Sequence, residues 1–133
     1  MAKSARGAFE VKLVPQPTPD NPTVGRLTID KRFHGDLEAT SAGEMLTAGT
    51  DVKGSAGYVA IERVTGTLHG RAGTFALQHS GTMTRGAPHL TITVVPDSGT
   101  ADLTGLAGTM AITIVDGKHS YELEYTIAET NSP

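Results

Sequence analysis

Apolar and polar positions alternate along most of this chain, with the period of two that sends one side of an extended strand into a core and the other into water. Phe9, Val11 and Leu13 alternate with Glu10 and Lys12 and predict a first strand. Pro15, Pro17, Pro19 and Pro22 then interrupt the ladder, because proline has no N–H to donate, so residues 15–25 read as a proline-rich loop. Arg26–Phe33 predicts the next strand, closed by a Gly35-Asp36 turn. Residues 35–48 are divided: Leu37, Ser41 and Met45 would share a helix face, whereas Thr40, Ser41 and Gly43 weaken a helix and the flanking turns favour a strand. After a turn over Thr50–Ser55, long strands are expected at Tyr58–Leu68 and Thr74–Thr84, with Gly57 and Gly81 as bulges or close backbone approaches.

The second half repeats the pattern. Leu90, Ile92 and Val94 alternate with threonines before a turn at Pro96–Gly99, and a short strand is expected over Thr100–Leu103. Met110, Ile112 and Ile114 share a face, and Asp116-Gly117 turns the chain into His119–Ile127, where Tyr121, Leu123, Tyr125 and Ile127 face one way. A phrase also recurs: Thr65–Phe75 returns as Thr100–Met110, each copy carrying a glycine-bounded tetrad, Gly70–Gly73 and Gly105–Gly108. The two copies predict two similar hairpins. Eight or nine antiparallel strands in so short a chain form an all-β sandwich or a closed barrel, and closure removes exposed edges from the whole sheet.

With 133 residues, one domain over 1–133 is expected, frayed at 1–6 and 129–133. The absence of cysteine removes disulfides and thiolate chemistry together and fits a cytoplasmic setting. The first residues lack the apolar run of a secretory signal, and no stretch is apolar for long enough to cross a bilayer as a helix, so no membrane partner is expected. Eleven basic residues stand against fourteen acidic ones, scattered and with Lys31-Arg32 as only a short local pair. That distribution argues against nucleic acid, whose affinity comes largely from phosphate neutralisation.

Longer phrases carry a family resemblance. The run Gly35–Met45, then Lys53–Arg71, Phe75–Met83, Val94–Thr100 and Asp116–Tyr121 together resemble a bacterial domain family of unknown function, over nearly the whole chain beyond its first residues. That family is similar in architecture to the allene oxide cyclase-like barrels. The resemblance implies a single eight-stranded antiparallel β-barrel rather than a sandwich, and it carries the fold without the reaction.

Among candidate site residues, His79 comes first, since Phe75, Leu77, His79, Gly81 and Met83 share one face of their strand. An inward imidazole there either moves a proton or serves as a hydrogen-bonded core residue. Glu62 shares a face with Tyr58, Ala60 and Val64, and would hold His79, act as a base or bind a ligand hydroxyl, or else form a surface or Arg63-supported salt contact. Glu44 either enters the barrel end or caps a turn, and an inward Glu44–Glu62 pair would push one carboxyl pKa upward. Tyr58, Tyr121 and Tyr125 offer apolar surface with a hydroxyl for a ligand, or ordinary packing. Arg71, in the first repeated turn, would meet an anionic ligand or simply face water. The histidines have no compact ligand spacing, so no metal and no cofactor is expected.

The function expected is the binding of a small apolar, oxygenated metabolite, extending to metal-free isomerase or cyclase chemistry through His79, Glu62 and Glu44. A non-catalytic carrier or sensor would use the same cavity. A structural module would instead have a solidly packed barrel. Val59, Ile61, Arg63 and Thr65 make a second, partly apolar face opposite Tyr58, Ala60, Glu62 and Val64, so one face would line the cavity and the other a subunit interface, and a homo-oligomer, dimer or trimer, is expected.

Overall fold

A computed structural model describes residues 2–17 and 23–128. Eight strands run in chain order: β1 (Lys3–Gln16), β2 (Val24–Gly35), β3 (Leu37–Gly49), β4 (Ala56–Leu68), β5 (Arg71–Thr84), β6 (Ala87–Val94), β7 (Leu106–Val115) and β8 (Lys118–Ile127). Each pairs antiparallel with the next, and β8 returns to β1, closing the barrel. The divided segment is strand β3, with Leu37, Ala39 and Ser41 buried and Glu38 and Thr40 exposed. Helix weakness and a period of two agreed there, and pairing on both sides decided it.

Three hairpins turn on two residues with positive φ: His69-Gly70 (47° and 80°), Arg85-Gly86 (47° and 89°) and Asp116-Gly117 (52° and 76°). Such turns match the twist of the strands they join, and glycine takes the second position without a Cβ clash. The first copy of the repeated phrase is one of these hairpins. The second is not: its Thr100–Leu103 segment holds a 3-10 turn at Ala101–Leu103 in place of the expected strand. Leu103 is inaccessible there and packs beside Gly73, while the Thr74 N–H donates to Thr100 Oγ1 at 3.0 Å. The two copies of the repeat therefore meet at one end of the barrel.

Of the N-terminal fraying expected over 1–6, Lys3–Arg6 are corrected, because β1 begins at Lys3, pairs with β8 from Lys3 opposite Tyr125, and buries Ala5 completely, while Met1 lies outside the described residues. Pro15 lies in β1 rather than in the loop. By that point the β8 pairing has ended, so the missing N–H leaves no ladder partner unsatisfied on that side. Residues 18–22 of the expected loop and the expected frayed end at 129–133 lie outside the described residues.

The two ends of the barrel differ. At the end carrying the His69-Gly70 turn and the 3-10 turn, Leu37, Leu68, Phe75, Leu103, Leu106 and Leu123 are inaccessible and fill the interior. At the opposite end, Leu13, Met83, Leu90 and Ile114 keep the inward parity of their strands yet are 42–62% exposed. Among the described residues, one end is thus packed shut and the other is an open apolar mouth.

Candidate functional site

Midway along the barrel, four adjacent strands send polar side chains inward. β2 places Lys31 between Ile29 and Phe33, β3 supplies Ser41, β4 Glu62 and β5 His79, all four at most 5% exposed. Glu62 is the hub. Its Oε2 accepts from Lys31 Nζ at 2.8 Å and from His79 Nε2 at 2.6 Å, and its Oε1 accepts from Ser41 Oγ at 2.6 Å. The Lys31 ammonium also lies 5.0 Å from the Phe9 ring centre and 5.4 Å from that of Phe33, close enough for cation–π attraction. Among the described residues no buried side-chain nitrogen or oxygen lacks a partner.

Space for the hub comes from Gly43, which lies opposite Glu62 on β3. A Cβ there would stand 2.0 Å from the Ile61 carbonyl oxygen and 2.6 Å from Glu62 Cα. Gly81 does the same one layer higher, where a Cβ would come within 2.5 Å of the Tyr58 ring. Gly81 is therefore a close-approach glycine, as its place in the strand suggested.

Burial by itself would raise the Glu62 pKa. The hydrogen bond from His79, the charge and hydrogen bond of Lys31 and the hydrogen bond from Ser41 outweigh it, lowering the pKa from 4.5 to about 2. Glu62 is an ionised, acceptor-only group. Tyr58 is pushed the other way, by burial first and then by the charge of Glu62, so its phenol keeps its proton.

Tyr58 connects this network to the mouth. Its hydroxyl is 3.4 Å from His79 Nδ1, and its ring lines a cavity of about 510 Å³ together with Met45, Thr47, Met83, Pro88 and Leu90. His79 and Glu62 lie behind Tyr58 and do not line that cavity.

The remaining candidates stand elsewhere. Glu44 is on the outer surface, ion-paired with Arg26 at 2.9 Å, so the inward Glu44–Glu62 pair is not formed. Ser41 and Gly43 face inward, and a residue one position beyond Gly43 must face out. Tyr121 and Tyr125 belong to the packed end. The Tyr121 hydroxyl accepts from the Leu37 N–H and bonds the His34 carbonyl, both at 2.9 Å, while that of Tyr125 meets His69 Nδ1. Arg71 is exposed at the hairpin of the same end, so of the four expected ligand contacts only Tyr58 reaches the mouth. Val59 and Ile61 lie on the outer face of β4 and are 52% and 57% exposed.

Lys31 and Ser41 join the site beyond the expected candidates, and the sequence carries a signal for each. Lys31 shares its strand face with Ile29 and Phe33, and Ser41 shares its face with Leu37 and Ala39, so both carry inward parity. Lys31 looked like half of a surface Lys-Arg pair. A strand sends such neighbours to opposite faces.

Fold and site together define a closed antiparallel barrel, open at one apolar end, with a buried Lys–Glu–His network beneath the opening. Residues 5–125 match the family described as "Protein of unknown function (DUF3224)", and the chain belongs to that family. A crystal structure of a protein of unknown function from the same family, from Shewanella oneidensis MR-1, is 50% identical with a TM-score of 0.94, over 98% of this chain and 100% of that one. No curated protein matches the chain.

Proposed function

We propose that this barrel binds a small, largely apolar molecule carrying one oxygen function, with the carbon skeleton in the mouth and the oxygen at Tyr58. The observation that carries this reading is the joining of an apolar cavity of about 510 Å³ to a buried ionic network through a single phenol. Ligand sites are typically apolar concavities of roughly 300–1,000 Å³ with a few placed polar groups. A lysine and a glutamate enclosed inside a small barrel cost desolvation free energy that apolar side chains would avoid, so their presence there fits a role beyond packing.

The neutral, apolar dye N-phenyl-1-naphthylamine tests the mouth. Its fluorescence is expected to rise saturably with the wild-type protein, and Leu90→Lys, which sets a charge on the cavity wall, is expected to weaken binding at least ~10-fold with little change in Tm. Equal binding by the variant would remove the ligand from the mouth.

The Glu62–His79 contact at 2.6 Å favours a second, catalytic reading of the same site. A carboxylate that fixes an imidazole behind a phenol can relay a proton to or from a bound ketone or enol, which is metal-free isomerase or cyclase chemistry. Solvent exchange of α-deuterium from a bound ketone distinguishes this from carriage. Binding without exchange leaves a carrier or sensor.

A further inference from the structure

The hydrogen-bond order within the network sets what kind of oxygen the mouth accepts. Glu62 is a carboxylate and only accepts, so His79 must donate to it from Nε2. Lys31 and Glu62 already cancel in charge, and the ammonium is enclosed between the carboxylate and two phenylalanine rings. A neutral His79 leaves this enclosed group with no net charge, whereas an imidazolium would add an uncompensated one. With its proton on Nε2, the neutral ring has a lone pair on Nδ1. That lone pair lies 3.4 Å from the Tyr58 hydroxyl oxygen, so in this tautomer the phenol is the donor and its proton turns inward. With its proton turned inward, the Tyr58 oxygen has only lone pairs left to offer a ligand seated against its ring.

We propose that the mouth selects neutral hydrogen-bond donors, such as alcohols, phenols or enols, and discriminates against carboxylates, because the Glu62–His79–Tyr58 chain leaves only an acceptor for the ligand. This rests on the binding reading above. It goes further by fixing the sense of the polar contact. The cation in the network offers an anionic ligand no help, because Lys31 is 5% exposed and committed to Glu62.

Three probes of one skeleton test this: 4-phenylphenol, biphenyl and 4-phenylbenzoate, each titrated by calorimetry. In the wild-type protein 4-phenylphenol is expected to bind more tightly than 4-phenylbenzoate. Tyr58→Phe keeps the ring and removes the oxygen, and is expected to weaken 4-phenylphenol about fivefold, the range of one neutral hydrogen bond, while biphenyl changes less than about twofold. Tighter binding of 4-phenylbenzoate, or a phenol affinity indifferent to Tyr58→Phe while the probes still bind, would overturn the donor preference and leave the binding reading standing. Failure of all three probes to bind would overturn both. The order of the phenol and the benzoate in the unaltered protein decides the point even where the variant does not fold.

Discussion

Glu62→Gln is expected to destabilise the barrel by about 3–5 kcal/mol at pH 7, the usual cost of breaking a buried ion pair from one side. The amide preserves shape but leaves the Lys31 ammonium, 5% exposed, without its counter-charge. The double variant Lys31→Met/Glu62→Gln is expected to recover most of that loss, since no unpaired charge then remains and the amide oxygen still accepts from Ser41 or His79. Urea unfolding of the three proteins measures both effects. A single variant as stable as the wild type would mean that the pair is not enclosed. Acid gives the same term another signature. The folded pKa of Glu62 lies below its ordinary value, so the stability it contributes is fully present above pH 4.5 and is lost as pH falls toward about 2. That difference is worth on the order of 3 kcal/mol across the window. Glu62→Gln should flatten this part of the pH dependence.

Gly43→Ala is expected to cost about 3 kcal/mol or more, although it adds a single methyl group. The methyl would meet the Ile61 carbonyl and Glu62 Cα, both backbone, so no side-chain rotation relieves it. β3 and β4 would have to separate at the position that seats the hub. Loss of the thermal transition, or a Tm fall much larger than that of Gly57→Ala, would agree with this. Gly57 is the control, because a Cβ there meets nothing nearer than 3.6 Å. Equal behaviour of the two variants would mean that the β3–β4 approach is looser than these distances.

The strands were legible in the sequence because the period of two is written plainly in them. Phe75, Leu77, His79 and Met83, and equally Tyr121, Leu123 and Tyr125, announce both strand and face. The same parity was enough to send Glu44 outward and Lys31 inward, but a charged side chain is usually solvated, and that expectation hides Lys31. What parity does not contain is the level at which residues on separate strands meet. Lys31, Ser41, Glu62 and His79 are joined by the stagger of four strands, which depends on turn geometry and register. Level is also what separates the three tyrosines. All face inward, yet Tyr121 and Tyr125 sit at the packed end and Tyr58 at the mouth. The repeat misled for a related reason: its second copy has the glycines of a hairpin, but Leu103 fills the barrel end and the segment forms a 3-10 turn over it.

The protonation order of the buried network, and its link to the mouth, is read most directly by the imidazole nitrogen-15 NMR spectrum of His79 as 4-phenylphenol is added. The free protein is expected to show a neutral ring protonated at Nε2. Addition of the phenol is expected to move the Nδ1 resonance saturably, while His34, hydrogen-bonded to Glu10 on the outer surface, and His69, at the packed end, stay in place. A doubly protonated His79, or one whose resonances ignore the phenol while it binds, would contradict the coupling of mouth and network.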